Sequence, residues 1–116
     1  MMFPPRIEVL YIEDCPQWQA ALHLARSAAR MAGAAEVDVF AIEVRSRQQA
    51  LRLGFAGSPT ILVGGKDPFP GVRTGRLACR VFQTPRGPAP LPDGGQLTDA
   101  ILAALAGQAQ RGVTRG

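Results

Sequence analysis

Two cysteines, one tryptophan, one tyrosine and one histidine are this chain's whole stock of its most chemically versatile side chains. Each scarcity excludes something. Cys15 and Cys79 alone make no disulfide framework. His23, the only histidine, leaves no His/Cys cluster of the zinc type, so no metal centre of that kind is expected. It falls on the polar face of a helix, where a solvated role is expected. No stretch approaches the roughly 18 apolar residues of a membrane span. The start, Met1-Met2-Phe3-Pro4-Pro5-Arg6, lacks the charged region, apolar run and cleavage site of a secretory signal. A reducing cytoplasm and no membrane partner are the expectation. Acidic residues are outnumbered, 9 against 13 basic, for a net charge of +4. The arginines are spread along the chain and do not form a dense stripe with interleaved aromatics, so no nucleic-acid partner is expected. Gly64-Gly65-Lys66 lacks the glycine spacing of a phosphate loop. No cofactor is expected.

What is present fits one domain. Its 116 residues, 47% of them hydrophobic, suffice for one core. Residues 6–12 form a nearly continuous apolar run, the pattern of a strand covered on both faces. Trp18, Ala21, Leu22, Ala25, Ala29 and Ala32 then recur at helical spacing, with Gly33 as a stop. Residues 36–44 read as a second strand. Ser46 followed by Gln49 has capping-box spacing and predicts a short helix over 47–53, ended by Gly54. Residues 60–63 read as a third strand and 78–83 as a fourth. Leu97, Ile101, Leu102 and Leu105 stripe a last helix over 96–106, ended by Gly107. Residues 64–95 hold six of the ten prolines and seven of the thirteen glycines, so most of that segment is expected to be loop.

The order is strand, helix, strand, helix, strand, strand, helix. Strands separated by a long helix should be parallel; the last two, joined without one, should be antiparallel. The expected fold is α/β, a mixed four-stranded sheet with helices on both faces. The expected domain spans residues 1–107, with 108–116 a frayed tail.

Cys15 carries the functional argument. It lies at a strand-to-helix junction, with Pro16 expected at the first helical position, where a missing N–H costs nothing. The helix dipole and its unpaired N–H groups would favour a solvent-reachable thiolate there, the form that attacks disulfides and binds soft metals. The plainer alternative is a small buried hydrophobe. Glu13 and Asp14 would oppose ionisation if aimed at the sulfur. Trp18 would either wall a substrate groove or pack in the core.

With this order of elements, Cys15-Pro16-Gln17-Trp18 after the first strand and Gly57-Ser58-Pro59-Thr60 before the third resemble the thioredoxin-like superfamily. The likeness spans residues 6–106 and implies a βαβαββα fold. It also implies a cis-proline at Pro59, whose alternative is a trans-proline turn. More narrowly, the chain looks like small thioredoxin-like proteins with an Asp/Gly-Cys-Pro-x-Trp start, some of them labelled alkylmercury lyases. Trp18 stands where a dithiol relative carries its second cysteine, so Cys15 has no local partner. The family's residue before the cis-proline, here Ser58, exposes backbone groups that pair with a substrate chain or glutathione. Pro16, Trp18, Ser58, Pro59 and Thr60 are thus the expected substrate-binding residues.

In a simple hairpin of strands three and four, Cys79 would lie several residues from Cys15. At about 3.3 Å per residue, that exceeds the roughly 7 Å Cα separation a disulfide allows. A buried structural thiol is the expectation for Cys79, unless the Gly/Pro-rich loop breaks that register. Three functions follow. The first is thiol–disulfide exchange through Cys15 with a protein or glutathione-like partner. The second is an organomercurial lyase-like or mercury-binding role for Cys15 and Cys79, with Asp14 as proton donor. The third is a non-catalytic interaction module.

Overall fold

A computed structural model describes the backbone of residues 5–69 and 71–114 and the side chains of 5–69 and 71–107. The elements are β1 (Ile7–Tyr11), α1 (Trp18–Met31), β2 (Val39–Glu43), α2 (Arg47–Leu53), β3 (Thr60–Val63), β4 (Phe82–Thr84), β5 (Gly87–Ala89) and α3 (Gly94–Thr114). β1 is central, parallel to β2 and antiparallel to β3.

Side-chain alternation sorts this sheet's residues between two cores. Ile7, Val9, Ile61 and Val63 pack with Ala21, Ala25, Ala28 and Ala29 of α1 and with Leu97 and Ile101 of α3. Leu10, Ile12 and Leu62 face the other way, onto Ala50 of α2, Phe55 and Val44. Alanine at each α1 contact lets that helix lie close to the sheet. The molecule is therefore α/β with helices on both faces. Leu102, expected in the core stripe, is 46% exposed; Leu97 and Ile101 carry that contact.

Local signals set the helix ends. Ser46 Oγ accepts from the Gln49 N–H at 3.1 Å, and Gln49 Oε1 accepts from the Arg45 N–H at 2.8 Å, one residue earlier than an ideal capping box. Gly54, at φ +77°, supplies the left-handed turn that closes α2. Asp93 caps α3: its carboxylate accepts from the Gln96 N–H at 3.0 Å.

Three expectations are corrected. The four-stranded sheet is a three-stranded sheet plus a separate β4–β5 hairpin. The fourth strand was expected over 78–83, but pairing with β5 begins at Phe82. Residues 78–80 instead touch Ser58 through an isolated parallel bridge at Cys79. The helix also continues past Gly107 to Thr114, because one glycine costs a helix only about 1 kcal/mol. The expected tail over 108–116 includes residues 115 and 116, which lie outside those described.

Candidate functional site

The register of β1 and β3 builds the site. Leu10 pairs with Thr60, so the start of β3 meets the end of β1, where the chain turns toward α1. Ser58 and Pro59 thereby lie beside Cys15. The Ser58–Pro59 peptide is cis. Ser58 Oγ accepts from the Ile12 N–H at 3.1 Å, tying the two segments together. Thr60 Oγ1 donates to the Gly57 carbonyl at 2.6 Å and accepts from the Ala56 N–H at 3.0 Å, shaping the loop from within. Ser58, Pro59 and Thr60 are all buried.

Cys15 is 1% exposed. Its thiol donates to the Ser58 carbonyl at 3.5 Å. The expected solvent-reachable sulfur is thus corrected to a buried one, closed over by the Ser58 loop. Pro16 is corrected as well. Gln17 is the N-cap, because its carbonyl accepts the first helical bond, from Ala21, so Pro16 precedes the cap. Pro16 and Asp14 are exposed, whereas Trp18 is half-buried, its ring stacked on Tyr11 at 4.1 Å between centroids and 14° between planes. His23 is exposed, as expected.

Cys79 carries the largest correction. It is exposed, not buried. The bridge to Ser58 returns it to the cysteine end of the sheet. Interaction with the Cys15 side chain pushes the Cys79 pKa up. Partial desolvation and the negative charges of Cys15 and Asp14 act in the same direction. The two sulfurs are neighbours, not joined. The simple hairpin failed as a guide because residues 64–77 do not retrace β3.

The segment around Cys79 also takes up what Ser58 was expected to offer a substrate. The Ser58 N–H donates to the Ala78 carbonyl at 2.8 Å, and the Ser58 carbonyl accepts from the Arg80 N–H at 2.9 Å. Two residues hold this segment in place; Gly57 entered the sequence reading only as part of the Gly57–Thr60 motif, and Arg80 did not stand out. Gly57 sits at φ +104°, and a Cβ there would come within 2.8 Å of Arg80 Cβ, so only glycine admits the close approach. Arg80, 7% exposed, pairs with Asp67 at 2.7 Å, donates to the Phe69 carbonyl at 3.3 Å and lies over the Phe82 ring at 4.3 Å. The available signal was an arginine next to a cysteine in a Gly/Pro-rich segment, but its partner lies thirteen residues away.

A cleft of about 660 Å³ is lined by Tyr11, Ile12, Glu13, Asp14, Trp18, Glu43, Val44, Arg45 and Leu77; Asp14 directly precedes Cys15, and neither cysteine is in the lining. No group of three or more His, Cys, Asp or Glu side chains able to hold a metal ion occurs among the described residues. Among them, too, no helix is long and apolar enough to cross a membrane.

No family model, curated protein or solved structure matches this chain. The case for function therefore rests on the residues themselves. Two unjoined thiols in contact, one exposed and one buried, are chemically equipped to trade two electrons or to grip one soft ion.

Proposed function

We propose that the protein carries out thiol–disulfide exchange through the pair Cys15 and Cys79, on a fold of the thioredoxin-like kind. The observation that carries this is the convergence of both cysteines on Ser58: the Cys15 thiol donates to the Ser58 carbonyl, and Cys79 pairs with Ser58 in an isolated bridge. The central parallel β1–β2 pair, the antiparallel β3 and the cis-proline loop facing the β1–α1 turn support the fold. Cys79 supplies the second sulfur that Trp18 replaces in the local motif.

Accessibility sets the order of steps. Cys79 is the sulfur a substrate can reach. Cys79, exposed, loses its proton to water, and the thiolate attacks a substrate disulfide. One sulfur–sulfur bond forms and one breaks, and the departing thiolate takes a proton from water. Cys15, deprotonated in turn, attacks the Cys79 sulfur of the mixed disulfide. The second substrate thiol leaves with a proton, and a Cys15–Cys79 disulfide remains. Two electrons have passed to the substrate. Two equivalents of a small thiol, themselves oxidised to a disulfide, return the pair to the dithiol.

The test is peptide mapping after treatment with hydroxyethyl disulfide. The wild type should lose two protons and yield one Cys15–Cys79 crosslink. Cys15→Ser should trap the mixed disulfide on Cys79, and Cys79→Ser should leave Cys15 unmodified while folded. A stable adduct without the crosslink in the wild type overturns the reading.

A second reading has its own supporting observation: the charge of Asp14 reaches Cys79. Two adjacent thiolates suit a soft ion such as mercury(II) as substrate or cargo. As an organomercurial binds both sulfurs the thiols lose their protons, and the Asp14 carboxylate would take one of them and pass it to the carbon, breaking the carbon–mercury bond. That would release the hydrocarbon and leave mercury(II) on the two thiolates. Release of hydrocarbon that is lost in Asp14→Asn supports this reading, and its absence removes it.

A further inference from the structure

The cleft that Asp14 helps to line has a chemical character unlike the rest of the molecule. The chain carries a net charge of +4, yet this cleft is lined by the carboxylates Glu13, Asp14 and Glu43 against one cation, Arg45. Arg45 is already committed to Glu43 at 3.1 Å. Glu13 and Asp14 make no ion pair among the described residues. One wall is the stacked Tyr11–Trp18 pair, and Leu77, 41% exposed, adds an apolar patch. Aromatic rings flanked by carboxylates are the chemistry that holds ammonium and guanidinium groups. The position is equally specific: Asp14 precedes Cys15, and Leu77 stands two residues before Cys79. Asp14, in the lining, also acts electrostatically on Cys79, so a group seated there lies within reach of the charge that acts on that sulfur.

We propose that this cleft selects substrates, taking disulfides and thiols that carry a cationic group and an apolar group beside the sulfur, and disfavouring anionic ones of the glutathione type. The proposal rests on the exchange reading for its substrate but not for its binding contacts. Glu13 and Asp14, both exposed, attract the cation at the mouth of the cleft, while Trp18, Tyr11 and Leu77 take up the apolar part. The field of the cleft should raise the encounter rate of a cation and lower that of an anion.

The experiment has two arms. In the first, rates of exchange are compared for cystamine, neutral hydroxyethyl disulfide and glutathione disulfide. After correction for each compound's rate with a free small thiol, cystamine should lead glutathione disulfide by about tenfold. That lead should shrink in about 0.5 M salt, where screening shortens the reach of charge, and in Glu13→Gln/Asp14→Asn. Equal corrected rates overturn the proposal while leaving exchange intact, because the neutral disulfide reports the thiol chemistry alone. In the second arm, Trp18 emission, the only tryptophan signal, is titrated with two exchange-incompetent tripeptide amides. These are Lys–S-methylcysteine–Phe and Glu–S-methylcysteine–Phe. Saturable binding of the lysine peptide alone, weakened in the double variant, supports the cleft even if no disulfide reacts. Equal binding of both peptides, or of neither, overturns it.

Discussion

At the scale of single residues, the interaction between the two cysteines governs the site. Cys79 holds its proton more tightly because of its interaction with the Cys15 side chain, its partial desolvation and the charge of Asp14. In Cys15→Ala that interaction is gone, so the Cys79 pKa falls. The midpoint of its alkylation by iodoacetamide should move to lower pH, measured by mass spectrometry across a pH series. An unchanged or higher midpoint would show that the two thiols do not interact in solution. Ser58 matters at the same scale for its backbone: its carbonyl receives both the Cys15 thiol and the Arg80 N–H.

At the scale of elements, the decisive unit is not a regular one. Residues 78–80 belong to neither sheet, yet they bring Cys79 to the end of β1 and β3. The Arg80–Asp67 pair anchors them, with side chains only 4% and 18% exposed. A buried pair stripped of one partner leaves an uncompensated charge, a loss of about 3–5 kcal/mol. The Phe69 carbonyl and the Phe82 ring remain to Arg80, so Asp67→Ala should fall at the lower end, about 3 kcal/mol in urea unfolding. Under native conditions the same variant should slow formation of the Cys15–Cys79 crosslink. Full stability together with an unchanged crosslinking rate would mean that another contact holds the segment.

At the scale of the whole molecule, a bond between Cys15 and Cys79 would tie the first strand–helix turn to the segment before the last hairpin. Closing so long a loop restricts the unfolded chain by up to about 4 kcal/mol on the chain-entropy argument. The oxidised protein should therefore unfold at higher urea concentration than the reduced one, and dithiothreitol should reverse the shift. Equal midpoints would show that the folded state is strained by the bond as much as the unfolded chain is restricted. The proposed preference acts at this scale too: the carboxylates of the cleft would draw cations against the net charge of +4.

Local chemistry alone determined much of this protein. Ser46 and Gly54 bracket α2, the alanines give α1 a buried face, and the apolar runs of residues 7–12 and 60–63 mark a sheet covered on both sides. Those signals are readable because capping, turn formation and periodicity involve neighbours in sequence. The partnership of Cys15 with Cys79 was decided only by tertiary structure. It depends on a loop path set by Gly57 and by Arg80 reaching Asp67, contacts between residues far apart in the chain. Spacing along a strand measures distance only while the chain runs straight, and between Val63 and Phe82 it does not.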